Sequence, residues 1–290
     1  MSSHADTAAI RSSRSSLRPR PITGIGVLGN VAAALVALFI LLAIIGPWIA
    51  PHDPNLVSFD LAYGGPEPGH WLGFDGSGRD LLSRLLTGAR SSLLGPLLVA
   101  VLASAIGTAI ALVAAWFRGW VDSAIGLLLD ILFAFPGLVL AILAVAVFGR
   151  GLVAPSIALV IAYVPYFARI VRSATMVEAS SPYVSSLKVQ GLSGWAISTR
   201  HIFVNVRPTV VAQAMISFSF ATVDLAALSY LGLGAQAPSS DWGLMVAEGQ
   251  EGVLEQEPAE AMLAGGCLVL AVVAINVLGT RLMDRAEARG

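Results

Sequence analysis

The chain has 290 residues, 56% of them hydrophobic and 12% charged; an ordinary soluble domain carries roughly 25% charged residues, so a water-soluble globular protein is excluded and a bilayer is the expected solvent. Seventeen basic residues face eighteen acidic ones, which excludes a nucleic-acid binder that relies on bulk charge. The single lysine, Lys188, is followed by Val189, so the Gly-Lys-Ser/Thr of a phosphate-cradling loop is missing and the chain is not a P-loop ATPase by itself.

Residues 1–24 are rich in Ser and Arg (Arg11, Arg14, Arg18, Arg20) and read as a short basic tail. Ile25 to Ile49 then runs without a charge. That is too long for the roughly 7–15 apolar residues of a cleaved signal, so 25–49 is the first expected transmembrane helix. The hydrophilic loop 50–91 ends in a helical pattern. Leu81, Leu82, Leu85, Leu86, Ala89 and Leu93 recur on one side, and Asp80, Arg84, Thr87 and Arg90 on the other, with Asp80 and Arg84 spaced as an i,i+4 pair. An amphipathic helix is expected there, lying at the interface or covering the bundle. Residues 92–282 form the core, with five more spans near Ser92–Trp116, Ser123–Phe148, Ala154–Ala168, Thr209–Leu233 and Ala259–Thr280, followed by a short tail at 283–290. The span at Ala154–Ala168 is short and needs Arg169 and Arg172 to snorkel. Pro96, Pro136 and Pro165 predict kinks or unwound turns inside spans.

Six spans with a cytoplasmic N-terminus place 13 Arg/Lys and 5 acids on inside segments, and 4 Arg and 11 acids outside. Positive residues stay inside, so both termini are expected in the cytoplasm. This makes 50–91 and 234–258 outer loops and 169–208 an inner one. The inner segment carries five basic residues and one acid, with Leu187, Val189, Leu192, Trp195, Ile197, Ile202 and Phe203 among them. These apolar side chains either meet a partner, pack on the protein's own helix ends, or lie on lipid headgroups.

Two carboxylates fall inside spans, Asp130 and Asp224. A charge at a helix centre costs roughly 2.5–3.5 kcal/mol on insertion scales, so each should face the bundle or a wet cavity. Asp130 lies near its span's inner end, where interface exposure explains it; Asp224 is deeper and reads either as lining a pathway or as a helix–helix hydrogen bond. The outer acids Asp241, Glu248, Glu251, Glu255, Glu257 and Glu260 read as a solvated face, or else as a surface that meets a solute-binding protein or attracts a cationic substrate. Tyr163, Tyr166, Trp116, Trp120 and Trp242 read as interfacial anchors. Cys267 has no partner cysteine, and the four histidines are scattered, with no metal-ligand spacing. No nucleophile–base pair, catalytic carboxylate pair or HExxH motif is present, so no catalytic, cofactor or metal site is expected.

Three stretches carry a family resemblance. The run His70-Trp71-Leu72-Gly73-Phe74-Asp75-Gly76-Ser77-Gly78-Arg79-Asp80, continuing through Ser83, Arg84 and Gly88-Ala89-Arg90 to Leu93, resembles the H-x-L-G-T-D-x-x-G-R-D segment of bacterial ABC-importer permeases. These belong to the dipeptide/oligopeptide (also nickel) transport family, C-type subunit. Leu228-Ser229-Tyr230-Leu231-Gly232-Leu233-Gly234, with Pro238 and Trp242-Gly243, is similar to that subunit's L-S-F-L-G-L-G…P…W-G. The stretch from Tyr183 through Gly191 to His201, Asn205 and Pro208, within a loop at 173–208, resembles the family's coupling motif. Ser185-Ser186-Leu187 stands where the family has Glu-Ala-Ala, and Val204 where it has the first proline. The resemblance implies an all-α permease of six transmembrane helices with a periplasmic amphipathic helix and a cytoplasmic coupling helix. That helix would dock on an ATPase through Tyr183, Ser185, Ser186, Leu187, Gly191, His201, Asn205 and Pro208. Asp224, Ser229, Tyr230 and Asp130 are candidates for the pathway. The implied partners are a homologous second permease, one or two P-loop ATPases that hold ATP and Mg, and an extracytoplasmic substrate-binding protein. The implied place is the bacterial inner membrane and the implied cargo is di- or oligopeptides. The alternatives are a nickel or haem permease of the same family, or an ion-coupled secondary transporter.

Overall fold

The computed structural model describes residues 26–117 and 119–287; the basic tail expected over 1–24 lies outside them, as do Ile25 and residues 288–290. The described residues form helices and loops without a strand, apart from the isolated bridges Glu67–His70 and Phe74–Asp80. The helices are α1 (Gly26–Ile49), α2 (Leu81–Phe117), α3 (Gly119–Phe133), α4 (Gly137–Phe148), α5 (Val153–Ala179), α6 (Pro182–Val189), α7 (Gly194–Ile197), α8 (Phe203–Tyr230), α9 (Trp242–Glu248), α10 (Gln250–Leu254) and α11 (Ala259–Glu287). A π-helical turn at Ser198–Ile202 joins α7 to α8, so Gly194–Tyr230 runs as one apolar rod.

Five of these units are long and apolar enough to cross a membrane, namely α1, α2, α5, the α7–α8 rod and α11. The sixth expected span is not a single helix. It is broken into α3 and α4, which meet at 73°. Pro136 accounts for the break, because its ring removes an N–H and pushes the preceding Phe135 out of the helical region. At Pro96 and Pro165 no unwound turn forms: α2 and α5 run past them without interruption.

The amphipathic helix leads into the second span as one continuous helix, α2, which has 37 residues. At 1.5 Å per residue it extends for about 55 Å, well beyond the roughly 30 Å of hydrocarbon that a span must cross. The short span at 154–168 disappears, because α5 has 27 residues. Arg169 and Arg172 have acidic partners rather than snorkelling alone: Arg169 Nη2 lies 2.6 Å from Asp130 Oδ1, and Arg172 Nε lies 2.6 Å from Asp122 Oδ1. Both pairs tie α5 to α3.

The bundle has two ends. Residues 50–80 and 231–258 gather at what we term the head, and 180–202 at the foot. Three buried clusters are stacked between them. Phe39, Leu81, Leu85, Trp242 and Met245 lie toward the head, Val99, Ala103, Leu159, Leu225 and Leu228 in the middle, and Phe167, Val171, Val184, Ile197 and Ile202 at the foot. Small residues let α2 approach α5 closely, since Ala103, Gly107, Ala111 and Ala114 are all buried. A Cβ at Gly107 would sit 2.9 Å from the Phe167 ring and 3.1 Å from the Ala168 backbone. The outer faces of α1, α3 and α4 instead show Ile40, Ile44, Leu127, Ile131, Leu143 and Val147 to the surroundings, as a lipid-facing surface requires.

Candidate functional site

At the foot, α6 is a two-turn helix held by its own end chemistry. Gly191 has φ +80°, and the amides of Gly191 and Leu192 donate to the carbonyls of Lys188 and Leu187 at 3.0 and 3.2 Å. This is the paired hydrogen bonding of a Schellman turn, which needs a left-handed residue where glycine stands. The turn returns Leu192 to Leu187, and both pack on the foot cluster. Beneath it, Lys188 Nζ lies 5.1 Å from the Trp116 ring centre, and Trp116 occupies the space a Cβ at Gly194 would need. The end of α2 therefore seats both α6 and α7.

The predicted coupling residues separate into two groups here. Tyr183 and Asn205 meet at Glu178. Tyr183 Oη donates to Glu178 Oε1 at 2.7 Å, and Asn205 Nδ2 donates to the same oxygen at 2.6 Å. Burial and the hydrogen bond to Glu178 push the Tyr183 hydroxyl up to about 12, so it remains a donor at physiological pH. Leu187 is half-buried, Ser185, Ser186 and Gly191 are exposed on or just after α6, His201 lies half-buried in the π turn, and Pro208 is inside α8. Glu178 is absent from the expected set, although its being the one acid among five basic residues in 169–208 was a signal. Of the apolar side chains in this loop, Ile197 and Ile202 are buried in the protein's own core, while Val189 and Trp195 are 90% and 77% exposed.

Midway along the bundle, Tyr163 Oη donates to Asp224 Oδ2 at 2.8 Å, joining α5 to α8. Asp224 thus makes the helix–helix hydrogen bond that was one of its two readings. Asp130 is exposed beside Arg169, whose guanidinium also stacks 4.6 Å from the Phe133 ring centre. Ser229 is buried and its Oγ accepts from the Ala235 amide at 3.1 Å; Tyr230 is exposed and donates to Gln250 Oε1 at 3.1 Å. Asp224, Ser229, Tyr230 and Asp130 are therefore spread over different levels of the bundle and do not converge.

The head departs most from the sequence reading. Asp80 and Arg84 do not pair. Asp80 caps α2 by accepting from the Ser83 amide at 2.8 Å and meets His70 Nδ1 at 2.9 Å. Burial alone would raise its carboxyl, but the Ser83 and His70 hydrogen bonds outweigh that and hold it below the ordinary value. Arg84 is fully buried and reaches Asp75, Glu248 at 2.7 Å and Glu260 at 3.3 Å. Arg79 joins the same group through Asp75 at 2.6 Å and Glu248 at 2.7 Å. The acids at 241–260 are thus not simply a solvated face. Asp241 is buried too, with its Oδ2 accepting from Ser92 Oγ at 2.8 Å, and burial is the largest influence raising its carboxyl. Trp242 is not an interfacial anchor but a core residue, its indole Nε1 donating to the Leu85 carbonyl at 3.0 Å. Gly88 faces the Ser240 carbonyl and the Trp242 ring, and Gly243 faces the Ala226 backbone, both too closely for a Cβ. The first two sequence motifs therefore pack on each other, their glycines marking the closest approaches.

With this geometry in view, comparison with known proteins is decisive. Residues 107–289 match the model of the binding-protein-dependent transport system inner membrane component, and 28–66 match the N-terminal TM domain of oligopeptide transport permease C. The chain belongs to this family of transport permeases. Among its relatives, the glutathione transport system permease protein GsiD of Escherichia coli O6:K15:H31 is 38% identical over 263 residues, covering 90% of this chain and 86% of the relative. GsiD of Pectobacterium atrosepticum is 36% identical over 261 residues, 89% and 86% of the two chains. The probable D,D-dipeptide transport system permease protein DdpC of Escherichia coli K12 is 34% identical over 258 residues, again 89% and 86%. A chain of the inward-facing MetNI methionine ABC transporter superposes with TM-score 0.58 at 17% identity, over 70% of this chain and 96% of its own, and shares the fold. This permease is accordingly a multi-pass component of the bacterial inner membrane, and ABC permeases of its kind carry no ATP site themselves.

Proposed function

We propose that this permease forms half of the translocation path of an ATP-driven importer of di- and oligopeptides, with both termini and the foot in the cytoplasm and the head in the periplasm. The loop charges, 13 basic residues inside against 4 outside, support that orientation. A homologous permease supplies the other half of the path, one or two P-loop ATPases hold ATP and Mg, and a periplasmic binding protein delivers the cargo to the head. The relatives named for glutathione and D,D-dipeptide transport favour peptide over nickel or haem, and over ion-coupled transport.

The observation that carries the coupling role is α6 with its Schellman turn. It is a short helix fixed by Trp116, Glu178 and the foot cluster, yet it projects Val189 outward from its last turn, and α7 just beyond it projects Trp195. Apolar side chains projecting from a rigid seat at the cytoplasmic end support docking into an ATPase cleft. Ser185, Ser186, Leu187 and Gly191 form the docking helix and its turn. Tyr183 and Asn205, through Glu178, brace it against α5 and α8, and His201 and Pro208 lie where the π turn passes into α8. Closing of the ATPases then tilts α6 with the bundle and alternates access to the path, with Asp224, Ser229, Tyr230 and Asp130 as its candidate polar residues. The test is Gly191→Arg in the reconstituted complex. The expected outcome is normal membrane insertion with ATP hydrolysis that no longer drives labelled peptide uptake; unchanged uptake per ATP would refute the coupling role.

A further inference from the structure

Three side chains at the head that the transport reading leaves unused come together although they are far apart in the chain. His52 follows α1 by three residues, His70 lies in the Glu67–His70 turn, and Asp80 caps α2. Their ligand atoms, one from each residue, all lie within 4.8 Å of one another. His70 Nδ1 stands 2.9 Å from Asp80 Oδ1, and His52 Nδ1 stands 3.8 Å from Asp80 Oδ2. His52 Nδ1 is buried and has no hydrogen-bond partner, an arrangement a folded protein normally avoids for a polar atom.

We propose that His52, His70 and Asp80 form a binding site for a divalent transition-metal cation, Zn2+ foremost. Two imidazoles and one carboxylate are a nitrogen/oxygen set suited to Zn2+ and poorly suited to Mg2+ or Ca2+, which take oxygen ligands. Metal–ligand bonds of about 2.0–2.1 Å in a tetrahedral arrangement put neighbouring donors about 3.3 Å apart, and the 2.9 and 3.8 Å separations bracket that value. The two rings are stacked at 4.1 Å and 21°, so a shared ion requires one to turn until its plane points at the metal. The His52 side chain, 36% exposed on a loop, is the one free to turn. His70 is held from its other side by the Phe74 ring, 4.5 Å away. Asp80 is already oriented by Ser83, whose amide donates to Oδ2 and whose Oγ accepts from the His52 amide at 3.0 Å; such supporting bonds fix ligands in built sites. On binding, the metal takes the His70 Nδ1 lone pair, and any proton there leaves to Nε2 or to water. Three protein ligands leave a fourth position for water on the His52 side. A bound ion joins the end of α1 to the start of α2 across the periplasmic face.

The test uses the full chain in lipid nanodiscs, without a histidine tag and stripped with chelator, titrated with Zn2+ by calorimetry and with Co2+ by visible absorption. The expected result is one Zn2+ per chain, intensified four-coordinate Co2+ bands, no displacement by excess Mg2+, and a rise in Tm with Zn2+. His52→Ala keeps the His70–Asp80 contact and the Asp80 cap, so its Tm in chelator should match that of the parent chain while its Zn2+ affinity falls at least tenfold. His70→Gln should weaken binding similarly, and His201→Ala should leave it unchanged. Absence of stoichiometric Zn2+ binding, or binding that survives His52→Ala at full affinity, overturns the site.

Discussion

Arg84 shows what one buried charge demands. A fully buried guanidinium is tolerated because Asp75, Glu248 and Glu260 surround it; removing it leaves Asp75 and Glu248 sharing Arg79 and takes from Glu260 its ion-pair partner. Breaking a buried ion pair from one side typically costs 3–5 kcal/mol. Arg84→Met is therefore expected to lower stability by about 3 kcal/mol or more, measured as unfolding of the purified permease in detergent. Adding Glu260→Gln should recover part of that loss, the sign of direct coupling in a double-mutant cycle. Full stability in Arg84→Met would contradict the buried network. Helical periodicity in the sequence places Arg84 and Asp80 away from the leucine stripe, but it does not reveal that folded loop rather than water covers that side. The partners Glu248 and Glu260 lie more than 160 positions along the chain, beyond any local pattern. Gly191 was legible for the opposite reason. Its role is local, set by hydrogen bonds within five residues of chain.

Among the elements, α2 is the one on which most others rest. It packs along α1, α5 and α8, and its buried small residues set the distance to α5. Gly107→Leu would drive a side chain into Phe167 and the Ala168 backbone. Overpacking typically costs 1–3 kcal/mol, and backbone on the opposing side leaves little room to yield. We expect a lower Tm in nanodiscs and weaker recovery from the membrane, with Gly107→Ala less affected; equal stability of Gly107→Leu and the parent would refute the close approach. At this scale the sequence conveys composition better than boundaries. Uncharged runs marked the apolar stretches, because lipid excludes charge wherever it falls. They did not mark where helices stop: α2 begins eleven residues before the expected span at Ser92, and α5 continues eleven residues beyond Ala168. Polar residues that find partners inside the fold extend a helix without appearing in hydropathy. Pro136 breaks its helix while Pro96 and Pro165 do not, which proline spacing alone does not distinguish.

For the whole molecule, the two motifs that gave the family away are one object. Gly88, Ser92 and Arg84 from the first meet Ser240, Trp242 and Asp241 around the second, with Glu248 just beyond it, and together they close the head. Sequence resemblance found both halves but not their contact, since each is recognised as a string and the contact spans about 150 positions. The foot motif is weaker as a string yet equally defined as structure, because its anchors, Trp116 and Glu178, lie outside it. At this scale, stiffness along α2 should matter for transport. Leu102 and Ile106 are exposed midway along it, and glycine costs about 1 kcal/mol each in a helix interior relative to alanine. Leu102→Gly with Ile106→Gly is expected to leave the complex assembled and hydrolysing ATP, while peptide uptake per ATP falls severalfold; undiminished uptake would argue against a role for that stiffness.

The continuity of α2 links the two ends of the bundle through one helix. Arg84 in its first turn lies in the charge network at the head, and Trp116 in its last turn lies under α6 at the foot. Were α2 to move as one rod, a displacement at its foot end would arrive at the head as a pull on Arg84 and its carboxylates. On the proposed orientation, the head and the foot would then keep time without any messenger passing between them.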